Sequence, residues 1–199
     1  MMLTEMTTVS LAALPIQGFK DHLRLGSGFT DNGLQDGLLE RHLRAAIAAI
    51  EGRIGKTLLT KRLKLTLNDW RGRDEQPLPV APVTALVSVA LIDAADVIIV
   101  LDPARYRLIA DQQRPKLRGL GLSLPTVPND GRAEVVFDAG FGPVWADIPP
   151  DLAQAVLLLA TEYYEIRHEV DARVAGLPFA VQTLIERWRN VRVLGGGAA

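Results

Sequence analysis

Residues 34–54 read Leu-Gln-Asp-Gly-Leu-Leu-Glu-Arg-His-Leu-Arg-Ala-Ala-Ile-Ala-Ala-Ile-Glu-Gly-Arg-Ile. Leu34, Leu38, Leu39, Leu43, Ala46, Ile47, Ile50 and Ile54 recur at helical spacing, while Glu40, Arg41, Arg44 and Glu51 fall mostly off that stripe. This is an amphipathic helix whose apolar face must meet other helices. Upstream, residues 15–25 predict a shorter helix, with Pro15 in the first turn where no intrahelical N–H is needed. Gly26, Ser27 and Gly28 end it, and Thr30, Asp31 and Asn32 offer caps for the next. Residues 1–9 read as a loose leader.

The pattern changes after Leu58. In residues 62–70 the apolar positions Leu63, Leu65 and Leu67 alternate with Lys64, Thr66 and Asn68, the mark of a strand with one buried face. A Pro-rich loop spans residues 71–82. Residues 83–92 and 97–101, joined by Asp93-Ala94-Ala95-Asp96, predict a hairpin. Residues 106–110 suggest a further strand, 111–131 are read mostly as loop because of their Pro and Gly content, and 132–138 form another strand. Helical periodicity returns at Pro149-Pro150-Asp151 and runs to about His168, with Ala153, Val156, Leu157, Ala160 and Tyr164 on its buried stripe. A charged connection over residues 169–177 leads to a last helix from Pro178, with Val181, Leu184, Ile185 and Trp188. The reading is α+β: a small bundle of about four helices (residues 10–57 and 149–190), a β-rich insertion between the second and third (58–148), and a flexible Gly-rich tail (191–199).

Composition narrows the function classes. The chain has 199 residues, 48% hydrophobic and 23% charged, enough to bury a core without metal or disulfide. A net charge of −1 argues against a dedicated nucleic-acid binder, which needs basic residues to neutralise phosphates. With no cysteine, thiolate chemistry and Cys-ligated zinc are excluded. The N-terminus does not read as a signal peptide, and the apolar runs are too short to span a bilayer, so no membrane association is expected.

Catalytic and metal motifs are missing. His22, His42 and His168 have no paired spacing, and Gly26-Ser27-Gly28 does not follow a strand and lacks the Gly-Lys-Ser/Thr of a phosphate cradle. Glu162, Glu165 and Glu169 share a helix but read as a solvated charged face beside Arg167. No catalytic residue, metal ligand or cofactor is predicted. Arg187, Trp188, Arg189 and Arg192 pair an aromatic with basic residues, a combination that serves core packing, a protein interface or stacking on nucleic acid.

The ordered series of local patterns resembles the head–tail connector, or adaptor, proteins of tailed phages. Ser10-Leu11 with Phe19-Lys20-Asp21-His22-Leu23-Arg24-Leu25 resembles their opening helix, and residues 36–51 with Gly55 and Leu58 resemble the second helix and its exit. The resemblance continues through Leu78-Pro79-Val80-Ala81-Pro82-Val83, Tyr106 and Val135-Val136-Phe137-Asp138-Ala139-Gly140-Phe141-Gly142. It extends over Ile148-Pro149-Pro150-Asp151-Leu152, Tyr164-Glu165-Ile166-Arg167, Leu177-Pro178 and Arg187-Trp188-Arg189. Gly18 departs from it, since a helix-interior glycine costs about 1 kcal/mol. The short chain also resembles the adaptor of gene transfer agents.

The resemblance implies a non-enzymatic ring subunit, typically dodecameric, in the head–tail neck of a phage or phage-like particle, made in the bacterial cytoplasm. Its partners would be other copies of itself, a portal protein and a tail-side stopper or tail terminator. DNA would pass through its channel without specific binding. The implied portal interface is Arg187, Trp188, Arg189, Arg192, Val193 and Leu194, with the tail ordering on contact. The rival readings are a non-catalytic ligand- or protein-binding module of unrelated type that uses the β block, an enzyme with a site assembled from distant residues, and a DNA-packaging accessory protein.

Overall fold

A computed structural model describes residues 1–24, 35–121, 123–166 and 176–189. In chain order the elements are β1 (Met2–Glu5), α1 (Ile16–His22), α2 (Asp36–Ile54), β2 (Lys61–Leu67), β3 (Glu75–Pro77), β4 (Val83–Ile92), β5 (Ile98–Val100), β6 (Tyr106–Ile109), β7 (Lys116–Gly119), β8 (Arg132–Ala139), α3 (Pro150–Ile166) and α4 (Phe179–Ile185). A 3-10 turn, Glu186–Trp188, follows α4. The fold class is the expected one: helices gathered around one core, with a β-rich block between the second and third.

The stripe on α2 becomes the centre of the helical core. Leu39, Leu43, Ala46, Ile50 and Ile54 are buried against Phe19 of α1, Leu152, Val156 and Leu159 of α3, and Val181 and Ile185 of α4. The helix ends where Gly55 adopts a left-handed conformation (φ 68°) and its N–H donates to Glu51 O, an arrangement that favours glycine. The proposed caps Thr30, Asp31 and Asn32, the Gly26–Gly28 break and Leu34 lie outside the described residues.

The alternating pattern of β2 places Leu63, Leu65 and Leu67 in a second, separate core with Val89, Leu117, Val135 and Phe137. Strands β1-β2-β8-β4-β5 form one antiparallel sheet and β3-β7-β6 another. On the opposite face of the larger sheet, polar side chains pair across strands. Arg62 Nε sits 2.8 Å from Asp138 Oδ1, Lys64 Nζ lies 3.4 Å from Glu134, and Arg132 reaches Asp96 at 2.9 Å. The predicted hairpin is present. Asp93 Oδ1 accepts from the N–H groups of Ala95 (2.8 Å) and Val97 (2.9 Å), which closes the turn.

Three segments differ from the sequence expectation. The leader is not loose: Met2–Glu5 pairs with β2, from Met2 opposite Thr66 to Glu5 opposite Leu63. Lys61 holds this strand to the helical body, reaching Glu5 at 2.5 Å and Glu51 at 2.9 Å. Arg44 Nη2 donates to Val9 O at 3.0 Å and fixes the chain beyond it. Within the loop expected over 71–82, Glu75–Pro77 forms β3, and within 111–131, Lys116–Gly119 forms β7. Their Pro and Gly neighbours bound very short strands instead of excluding them: Gln76 and Leu117 are paired in register and both are buried, Leu117 in the β core.

The chain passes between the two cores at two places. Thr60 N–H donates to Gly142 O and Phe141 N–H to Leu58 O, so the outgoing and returning segments run side by side. Gly140 makes this approach possible. Its φ is +140°, and a Cβ there would stand 2.5 Å from Thr60 N.

Candidate functional site

The basic–aromatic cluster at the end of α4 is the best-defined polar constellation on the helical body. Pro149 and Pro150 open α3 and set Asp151 in its first turn, where a carboxylate is favoured by the helix dipole. Asp151 Oδ1 accepts from Leu152 N–H at 3.1 Å. Its other oxygen, Oδ2, accepts from the Trp188 indole Nε1–H at 2.7 Å and from Arg187 Nε at 2.8 Å. The Trp188 ring meets Phe141 edge-on, with centroids 5.5 Å apart and planes at 85°. The Arg187 guanidinium lies over the same indole, 4.8 Å from its centroid.

The result is a clasp in which one carboxylate and one aromatic ring hold the end of α4 to the start of α3. Trp188 is half-buried and engaged within the chain, as core packing requires, while the Arg187 side chain is 70% exposed and keeps most of its donors available. Arg189 pairs with Glu186 at 3.1 Å on the surface. The clasp therefore fixes the end of α4 against the start of α3. Arg192, Val193 and Leu194, also proposed for the interface, lie outside the described residues, as does the Gly-rich tail. The pairing of Trp188 with Asp151 was not readable from sequence, because 37 residues separate them and no local pattern links an acidic first-turn residue to a distant indole.

Other polar groups are structural. His42 packs edge-on against Tyr164 with ring centroids 6.0 Å apart, and His22 is exposed. His168 and Glu169 lie outside the described residues. Among the described residues no group of three or more His, Asp or Glu side chains is placed to hold a metal ion, and no helix is long and apolar enough to cross a membrane. Lys56 is buried beside the exit of α2, donating to Gln112 O and to Gln113 Oε1 at 3.0 Å. Burial pulls its pKa down, partly offset by the charge of Asp111. Glu51 is shifted up by burial against the opposing pull of Lys61, and its Oε1 accepts from Leu58 N–H at 2.7 Å. It thus joins the helical body to the β block.

Among the described residues, two open depressions lie on the bundle. One, of about 510 Å³, is lined by residues including Ala49, Arg53, Tyr163 and Gln182; the other, of about 380 Å³, lies beside the clasp at Pro150, Thr183 and Leu184. The second also borders Asp151, but the Thr183 hydroxyl donates to Phe179 O at 3.0 Å while Asp151 is engaged by Trp188 and Arg187. The longest run of exposed large apolar residues among the described residues is elsewhere, on the β4–β5 hairpin, where residues 97–100 are all exposed.

No family model matches the chain, and neither does any curated protein. Solved structures do. A chain in the neck of an empty gene transfer agent particle, computed with C6 symmetry, is 52% identical with a TM-score of 0.90, covering 98% of this chain and 99% of that one. A chain in the virion of a native gene transfer agent particle is also 52% identical, with a TM-score of 0.86 and the same coverage. A third, in the native neck computed with C12 symmetry, is 48% identical with a TM-score of 0.84, again over 98% and 99%. Identity of this level across nearly the whole of both chains shows common family membership: the chain belongs to the head–tail connector family represented in the neck of gene transfer agent particles.

Proposed function

We propose that the protein is the adaptor subunit of a phage-like particle, a non-catalytic building block that assembles into a ring between the portal and the first tail-side protein. The observation that carries this reading is its similarity, at 52% identity and over 98% of its length, to a chain of a gene transfer agent neck. Related chains come from assemblies treated with C6 and C12 symmetry, which supports a ring of identical copies and favours twelve. The ring would extend the DNA channel. A net charge of −1 suits a wall that DNA slides past without being held.

Within this reading, residues 10–57 and 149–190 act as a helical body and 58–148 as a β-rich block, and the segment after the clasp reaches the portal. Arg187, Trp188, Arg189, Arg192, Val193 and Leu194 form that interface: Asp151 sets the exit, and the Gly-rich tail beyond takes its conformation from the partner. The test is co-sedimentation of the purified chain with portal rings from the same particle, alongside a chain lacking residues 190–199. The full chain is expected to bind at a fixed, ring-like stoichiometry, and the truncated chain to fold normally but stay unbound. Equal binding by both would remove the tail from the interface. No binding by the full chain across a range of salt would overturn the adaptor reading.

A further inference from the structure

The five-stranded sheet ends, among the described residues, in two open edges: β1 pairs only with β2, and β5 only with β4. The β5 edge is apolar throughout, and the β1 edge is apolar over Met2 and Leu3, ahead of the exposed Thr4 and Glu5. On the hairpin, Val97, Ile98, Ile99 and Val100 are 55%, 62%, 56% and 65% exposed. Because successive residues point to opposite faces of a strand, four consecutive exposed aliphatics mean that both faces are uncovered. At the far edge Met2 is 60% and Leu3 38% exposed. Proteins that stay single guard such edges with lysine, proline or a bulge. Neither residues 97–100 nor residues 2–3 contain lysine or proline, and the irregularities of β4 fall between Val83 and Ser88, away from its pairing with β5.

A ring of identical copies needs two unlike surfaces on each subunit, one to meet the next copy and one to meet the last. The two edges satisfy this requirement. All neighbours in the sheet are antiparallel, so its first and last strands, β1 and β5, run in the same direction. Adjacent copies in a many-membered ring differ only by a small rotation, which preserves strand direction and permits parallel pairing of β5 with the next copy's β1. A foreign protein docking on either edge would leave the other bare, whereas one contact between copies covers both. Bare aliphatic strands also offer nothing to phosphates.

We infer that β5 of one copy packs against β1 of the next, so that the larger sheet continues across each subunit boundary. Residues 97–100 supply a rigid β-branched ridge, and Met2 and Leu3 the adaptable surface that receives it. This interface rests on the ring reading above and names where its subunits touch.

The chain has no native cysteine, so engineered pairs report without background. Leu3→Cys would be combined with Ile98→Cys, Ile99→Cys or Val100→Cys in three full-length double variants. Each would be assembled on portal rings, sized by sedimentation and then oxidised. The expected result is a ladder of covalent multimers from at least one double variant and none from any single variant. In addition, Ile99→Lys should leave the melting temperature of the free chain unchanged while lowering ring assembly about tenfold or more. Rings that form normally but give no ladder with any of the three pairs, and tolerate Ile99→Lys, would overturn the edge-to-edge contact and leave the adaptor reading standing. Absence of rings from the unmodified chain would overturn both.

Discussion

Replacing Asp151 with alanine removes the centre of the clasp. The Trp188 indole then loses an acceptor at 2.7 Å, and a hydrogen bond to a charged group contributes about 1.5–3 kcal/mol. The pairing with Arg187 adds less, roughly 0–1 kcal/mol, because the arginine is mostly exposed. Loss of a carboxylate from the first turn of α3 removes about 0.3–1 kcal/mol more. The expected destabilisation is about 2–5 kcal/mol, read from urea unfolding of the purified chain. A double-mutant cycle isolates the central bond. Trp188→Phe keeps the edge-on contact with Phe141 but not the N–H, so Asp151→Ala and Trp188→Phe should couple by about 1–2 kcal/mol. Asp151→Asn, which keeps an acceptor, should lose less than alanine. Strict additivity of the two single variants, within about 0.3 kcal/mol, would refute the clasp as an energetic unit and leave Trp188 as ordinary packing.

Further outcomes follow from the two cores and their junction. Gly140→Ala places a Cβ 2.5 Å from the Thr60 backbone at φ +140°, so denaturant titration should show a loss of about 2–4 kcal/mol. Phe137→Ala empties a fully buried site in the β core and should lower unfolding free energy by about 3–5 kcal/mol, with little change in helical circular dichroism of the folded state. Lys56 has a depressed pKa in the folded chain, so its contribution to stability should grow as pH rises through that lowered value toward the unfolded value of 10.5. Relative to the native chain, Lys56→Met should lose this rise on the alkaline side, as pH climbs toward 10.5; parallel stability–pH curves for the two proteins would contradict it.

The elements that could be read from sequence are those whose signal is local and repeated. The stripe from Leu38 to Ile54 gives α2, and the alternation Leu63, Leu65, Leu67 gives β2, because each pattern is written many times over one buried face. Strands β1, β3 and β7 span three or four residues each, too few for a period to emerge. They exist because a distant partner supplies the other half of the ladder: β2 for β1, and β7 for β3. The site divides in the same way. Arg187 and Trp188 stand out as a basic–aromatic pair, whereas Asp151 becomes their anchor only once α3 and α4 pack together. The bare edges were hidden for a related reason: apolar residues 97–101 look like any buried strand until the sheet order shows that they lie at its end.

The central claim, that this chain joins head to tail, is tested most directly by electron microscopy of particles from cells that make every component except this one. The account predicts heads and tails recovered as separate structures, rejoined when the full-length chain is supplied. Tailed particles of normal appearance and number without it would contradict the account.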